Sequence, residues 1–483
     1  MIQKLQSIIY NDRNCDLEFL LWFYNECKNN HDEIIKIENR INYISGITKQ
    51  LTNIKNTIDE LSNDTNIDDY FKQYMLIKRD LRNAFTLLAS FRVYDHWISP
   101  SNKGCIIERG AQENNYDEIK YLRTSDYKKL KDIEYCFIKE YFPECFTFGN
   151  DHNYFFTNTG MAAFEVAITV MLRLTNDDRN ILIQNGIYHE SRSYLETNQV
   201  KFKVMNIEDI FTTLETNCEI DCLILGGGIT TFPTLFSLEI LLNKLFVHRQ
   251  KRLMFLIIDR TLTSFVDKYY VQLKKYRNNN IIYISHESLS KFYQFGLETT
   301  NMGLVSIISR LVRTEAVETI ILRALNVSSS RPLPLQYYSM NYFNKELLKK
   351  RIDRISRNTK QLFDALSIKN ERSSNNIRYQ IISPCYKNSF YFDNEIEYIG
   401  LNILIYHHQL DNDNLINILN RIVEKYDQIK IGDGNSMGFD TTRIHSYLDI
   451  YSKRTPCIRI SVGSVDIDIM MKQIDSIIKC LWE

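Results

Sequence analysis

The sequence predicts an α/β fold with a mostly parallel central sheet, a helical N-terminal extension and a C-terminal α+β domain. Three observations predict it. From about residue 150, short β-rich runs alternate with helical stretches, the pattern that parallel neighbours need because each pair is joined by a crossover. Before residue 95 the apolar residues recur at helical spacing instead. After a long amphipathic helix at about 344–366, strands and helices mix again.

The elements follow in chain order. Ile37, Ile41, Ile44, Ile47, Leu51, Ile54, Ile58 and Leu61 lie close to a heptad seam, which a helix buries against a partner helix. Ser62-Asn63-Asp64-Thr65 is a turn signal, and a second helix is expected from about Asp68 to Ser90. Two antiparallel helices therefore form the expected extension. Its use is packing, dimerisation, or the binding of a partner or carrier. Strands are expected at 181–184, 202–205, 222–225, 255–259, 281–285 and 304–308, with helices at 162–174 and 235–246 among them. The clearest C-terminal strands are 401–406 and 458–462. The domain bounds are 1–110 for the extension, 111–330 for the large α/β domain and 331–483 for the C-terminal α+β domain.

Composition narrows the function. A chain of 483 residues exceeds one ordinary core, so several domains are expected. Lys+Arg and Asp+Glu balance to a net charge of +0, so nothing draws the chain to nucleic acid or to an anionic membrane. The ten cysteines include no C-x-x-C pair, which argues against a zinc site. Reduced thiols in a cytosol fit them better than a disulfide framework. No signal-peptide core and no membrane-length apolar run is present, so the cytoplasm is the expected location.

Three short segments carry chemistry. Ser288-Leu289-Ser290-Lys291 follows a strand at its C-terminal end, where open α/β sheets bind ligands. A lysine that burial deprives of its proton can form an imine with an aldehyde. Its ordinary alternative is a surface lysine. Asp259 ends the apolar run Phe255-Leu256-Ile257-Ile258. It can hold the proton of a heteroaromatic nitrogen, or simply cap the next loop. Thr159-Gly160-Met161-Ala162-Ala163 opens a strong helix, whose free N–H groups favour a phosphate. An ordinary capped helix would look the same.

Their order is what distinguishes them. The chain carries, in sequence, Tyr121-Leu122-Arg123, Thr159-Gly160-Met161-Ala162-Ala163, Tyr188, Pro233-Thr234-Leu235, Asp259, Ser288-Leu289-Ser290-Lys291, Asn435-Ser436-Met437-Gly438 and Ile458-Arg459-Ile460-Ser461-Val462-Gly463. Over about residues 115 to 475 this set resembles the Cys/Met-metabolism family of pyridoxal 5′-phosphate (PLP) enzymes. The resemblance implies the PLP-dependent transferase fold, type I, with PLP as cofactor and Lys291 as its Schiff-base partner. It implies that Gly160, Met161, Ser288 and Ser290 bind the phosphate, that Asp259 meets the pyridine nitrogen and that Tyr188 stacks on the ring and takes a proton. Tyr121 and Arg123 would reach a neighbouring subunit's cofactor, and Arg459 with Ser436 would hold the substrate carboxylate. The implied reaction is elimination or replacement at Cβ or Cγ of an L-amino acid, by a lyase or transferase. Aminotransfer and a non-catalytic scaffold are the competing outcomes. A shared site implies a homodimer or homotetramer.

The chain also departs from the family pattern. Thr159 and Ser290 exchange one hydroxyl residue for another, Phe232 replaces an asparagine, Gly226-Gly227-Gly228 occupies the neighbourhood of a glutamate, and Phe292-Tyr293-Gln294-Phe295-Gly296 follows the lysine. These departures bear on substrate identity, while the Asp259, Lys291 and Arg459 set is intact.

Overall fold

A computed structural model of the chain describes residues 2–37, 41–61, 67–94 and 127–482, less short internal stretches of which 227–237, 383–391 and 449–455 are the longest. The chain opens with three helices, α1 (Ile2–Ile37), α2 (Ile41–Leu61) and α3 (Ile67–Tyr94), which pack on one another. Ile47, Leu51, Ile54, Ile58 and Leu61 are all buried, as the heptad spacing requires. The expected pair of helices is corrected to three. The buried face of α1 includes Asp12, Asp16 and His31 beside Phe19, Leu20, Phe23 and Cys27, so its apolar stripe is broken in the sequence.

Next come α4 (Tyr127–Tyr141), β1 (His152–Thr157), α5 (Gly160–Leu174), β2 (Ile181–Gln184), α6 (His189–Thr197), β3 (Lys203–Met205), α7 (Ile207–Glu215), β4 (Cys222–Gly226), α8 (Leu238–Val247), β5 (Met254–Asp259), α9 (Tyr269–Lys275), β6 (Ile281–Ser288) and β7 (Gly303–Ile308). The seven strands form one sheet in the order β1-β7-β6-β5-β4-β2-β3. The run β6-β5-β4-β2-β3 is parallel, and β7 lies antiparallel between β6 and β1. Alternate residues divide between two cores. Leu182, Leu223, Leu225, Leu256 and Ile258 face one, and Ile181, Ile183, Cys222, Ile224, Phe255 and Ile257 face the other. Burial on both faces is why these strands are nearly unbroken apolar runs. The mostly parallel sheet is as expected.

The remaining elements are α10 (Thr314–Val327), α11 (Pro334–Tyr338), α12 (Lys345–Arg372), β8 (Gln380–Ile382), β9 (Phe392–Asp393), β10 (Ile396–Glu397), β11 (Asn402–Tyr406), α13 (Asn412–Val423), β12 (Ile431–Asp433), β13 (Thr442–Leu448), β14 (Pro456–Ser461) and α14 (Ile467–Trp482). A five-stranded sheet runs β12-β13-β14-β11-β8. Ile403, Ile405, Ile458 and Ile460 join the first core. Period-two alternation puts Arg459, Ser461, Arg443 and His445 on the other face.

The extension shares its core with the rest of the chain. Phe19, Phe23 and Phe85 pack with Tyr342 and Phe295. Arg354 of α12 pairs with Asp16, and Arg357 with Asp12. Among the described residues no helix is long and apolar enough to cross a membrane.

One fold-level prediction comes from β1. His152 Nε2 lies 2.7 Å from Ser306 Oγ on β7, and burial pushes the imidazole down from 6.5 to about 3. Between those values the unfolded chain binds the proton that the folded one refuses. Stability is therefore full above pH 6.5 and falls as pH drops towards 3. Between pH 7 and pH 4 the wild type is expected to lose up to about 3 kcal/mol more than His152→Gln, measured by urea unfolding at each pH.

Candidate active site

The site is built where the C-terminal ends of β5 and β6 meet the start of α5. Thr159 is the N-cap of α5, in extended backbone, and its hydroxyl accepts from the Ala162 N–H at 3.0 Å. The Ala163 N–H goes to the Thr159 carbonyl at 3.2 Å. The N–H groups of Gly160 and Met161 are then the open donors of the first turn, as at any helix start, with no acceptor among the described residues.

Gly160 lies against the end of β6. A Cβ there would stand 2.7 Å from Ser288 Cβ and 3.0 Å from Ser288 Cα. Gly303 does the same job one strand over. It pairs with both Ser288 and Thr157, and a Cβ would fall 2.3 Å from the Thr159 carbonyl oxygen. Two glycines thus let the α5 start nest on the strand ends.

Asp259 closes β5 opposite His286 of β6. Its Oδ1 accepts from the Thr261 N–H at 2.8 Å, and Thr261 Oγ1 accepts from the Ser288 N–H at 3.0 Å. One carboxylate oxygen therefore caps the loop, the bland role the sequence allowed. Oδ2 has no second hydrogen bond among the described residues.

Lys291 sits three residues beyond β6, half-buried. Burial pushes its ammonium below the usual lysine range. The carboxylates of Glu298 and Glu190 oppose this, and the guanidiniums of Arg459 and Arg443 add to it. Ser288 is half-buried beside Gly160. Ser290 is buried, and its Oγ accepts from the Met302 N–H at 3.4 Å.

Tyr188 precedes α6, its ring edge-on to His189 at 4.7 Å. Burial, the hydrogen-bonded Glu190 carboxylate and the charge of Asp259 raise its phenol, against the pull of Arg459. It is a neutral phenol at ordinary pH. Arg459 is only 4% exposed, on the polar face of β14. The same field thus reaches Tyr188, Asp259, Lys291 and Arg459. Met161 Sδ lies 3.8 Å from Ser191 Oγ. Tyr121, Arg123 and Ser436 lie outside the described residues, as do Gly227, Gly228 and Pro233-Thr234-Leu235.

The sequence reading gave no role to Glu190, Thr261, Gly303 or Arg443. Thr261, two residues after Asp259, carried a local signal, because a hydroxyl there can bridge a strand-end carboxylate to the next strand. Gly303 is an isolated glycine at a strand start, which marks a close approach without naming the other party.

The fold has relatives among solved structures. A cystathione gamma lyase from Micromonospora echinospora matches 80% of this chain and 93% of its own, at 13% identity and a TM-score of 0.54. The apo form of the same Micromonospora echinospora enzyme, described as a methionine gamma lyase, matches 78% and 91%, at 13% identity and a TM-score of 0.52. A putative O-acetylhomoserine (thiol)-lyase from Campylobacter jejuni, solved with a pyridoxyl-lysine monophosphate, matches 68% and 81%, at 15% identity and a TM-score of 0.50. The chain has the type I fold of the Cys/Met-metabolism PLP enzymes. No family model and no curated protein matches its sequence.

The residues fit a phosphorylated aldehyde cofactor. Gly160 and Met161 offer open N–H donors beside a serine hydroxyl, in a cradle that a Cβ on Gly160 would disrupt. A carboxylate oxygen stands at the end of β5, and a lysine with weakened proton affinity three residues past the end of the adjoining β6.

Proposed function

We propose that the protein is a PLP-dependent enzyme that eliminates or replaces a group on Cβ or Cγ of an L-amino acid. The observation that carries the proposal is the convergence of the α5 donor cradle, Asp259 and Lys291, whose burial weakens its hold on its proton, at one end of one sheet. PLP, when bound, supplies the electron sink for charge that develops at Cα.

The chain's own residues do the rest. Gly160 and Met161 N–H groups hold the phosphate, helped by the Ser288 and Ser290 hydroxyls. Asp259 keeps the ring nitrogen's proton. Tyr188 packs on the ring face. Lys291 carries the cofactor and then moves the proton between Cα and the neighbouring carbons, which its lowered proton affinity suits. Arg459 clamps the α-carboxylate with paired N–H donors, and Ser436 is assigned to the same carboxylate. Tyr121 and Arg123 serve the phosphate of a second copy, so the active form is a homodimer or a homotetramer.

The test uses PLP-loaded protein and an L-amino acid with an acyloxy or thioether group on Cβ or Cγ. Release of a 2-oxo acid with ammonia is expected, or a new amino acid when a thiol is added. Stoichiometric conversion of the cofactor to its amine form, with the leaving group retained, would establish aminotransfer instead.

A further inference from the structure

The extension reaches the loop that leaves Lys291. Lys78 of α3 is 3% exposed, among the buried neighbours Ile77 and Leu81. A helix face that only packed would be apolar here. Instead the Lys78 ammonium donates to the Phe295 carbonyl and, at 2.6 Å, to Asp440 Oδ2. Phe295 lies four residues past Lys291 with φ +53°, and Glu298 follows with φ +46°. Non-glycine residues hold that conformation only when their surroundings impose it.

Lys78 is one of four contacts from the extension on this loop. The Phe295 ring stacks on Phe19 at 5.3 Å and lies 5.2 Å from Trp22, both on α1. One turn past Lys78, Arg82 Nη2 donates to the Glu298 carbonyl at 2.9 Å. The Glu298 carboxylate is in turn the largest opposing influence on the Lys291 ammonium.

Asp440 ties the other end. It also accepts from Arg351 Nη1 and from Ser464 Oγ. Burial works against its charge, but Arg351 and Lys78 more than offset that and hold its carboxyl below the usual range. Its carbonyl oxygen lies so close to Gly463 that a Cβ there would stand at 2.3 Å. Gly463 follows the end of β14, four residues past Arg459. One buried ammonium therefore bridges the loop after Lys291 and the chain beside Arg459.

We infer that Lys78 is a positioning residue, supplied by the N-terminal extension, that fixes Lys291 relative to the carboxylate-binding Arg459. The inference rests on the proposed function for what the two residues do. The bridge itself does not depend on it.

Lys78→Met tests it in the full-length chain. Without cofactor, amide hydrogen exchange of 292–298 is expected to speed up at least about tenfold, while β2, β4 and β5 exchange as in the wild type. With PLP, KM for the amino acid is expected to rise about tenfold or more, and the pH midpoint of the visible lysine–cofactor absorbance to move. Arg82→Ala, at an exposed position, is expected to give the same exchange signature in milder form and serves if Lys78→Met does not fold. A variant with wild-type exchange, KM and absorbance midpoint overturns the inference and leaves the proposed function standing. A wild type that takes up no PLP overturns the proposed function, whatever the exchange shows.

Discussion

Lys291→Ala is expected to abolish the covalent attachment of PLP and to lower turnover at least about a thousandfold. The lysine is assigned two duties, as anchor and as proton carrier, and alanine can do neither. The native protein favours both duties, since burial with Arg459 and Arg443 weakens the lysine's hold on its proton. The fold should survive, because the Leu289 and Phe292 side chains beside it stay buried in the core. Gel filtration followed by visible absorbance, and turnover at saturating substrate, check the two halves. A variant that keeps wild-type turnover would mean that another group carries the reaction.

Gly160→Ala is expected to weaken PLP binding at least about a hundredfold. The added methyl would meet Ser288 Cβ at 2.7 Å and Ser288 Cα at 3.0 Å, and a strand end cannot swing away as a flexible side chain could. The α5 start has to lift, taking the Gly160 and Met161 donors with it. Hydrogen bonds to a charged group contribute about 1.5–3 kcal/mol each, so the loss of two accounts for the expected change. A PLP titration followed by tryptophan fluorescence reads it. A parallel thermal melt is expected to fall by only a few degrees, because the clash lies at a helix end and not in the core. Unchanged affinity would show that the phosphate does not sit on this helix.

Much of the large domain was legible because its strands are buried on both faces and declare themselves as apolar runs. The 281–285 run was read short by three, since β6 continues through His286, Glu287 and Ser288. Those polar residues are tolerated by specific contacts, including Tyr293 Oη donating to Glu287 at 3.0 Å. Strand β1 was missed because His152, Asn153 and Tyr154 carry little apolar signal. The first helix was concealed for the same reason, with Asp12 and Asp16 turned inward to meet Arg354 and Arg357.

The site divides along similar lines. Lys291, Asp259 and the α5 start could be found because each stands at the end of a strong element. Arg443 and Glu190 could not, because their importance comes from long-range placement and no local pattern announces it. Lys78 is the clearest case. In sequence it is one charge in an exposed-looking helix, and only the fold brings it to Phe295 and Asp440, more than two hundred residues away.

A crystal structure of the PLP-loaded protein tests the central assignment most directly. Continuous density is expected from Lys291 Nζ to the aldehyde carbon, with the free oxygen of Asp259 in hydrogen-bonding distance of the pyridine nitrogen. A cofactor joined to a different lysine, or an Asp259 carboxylate committed wholly to Thr261 and remote from the ring, would contradict it.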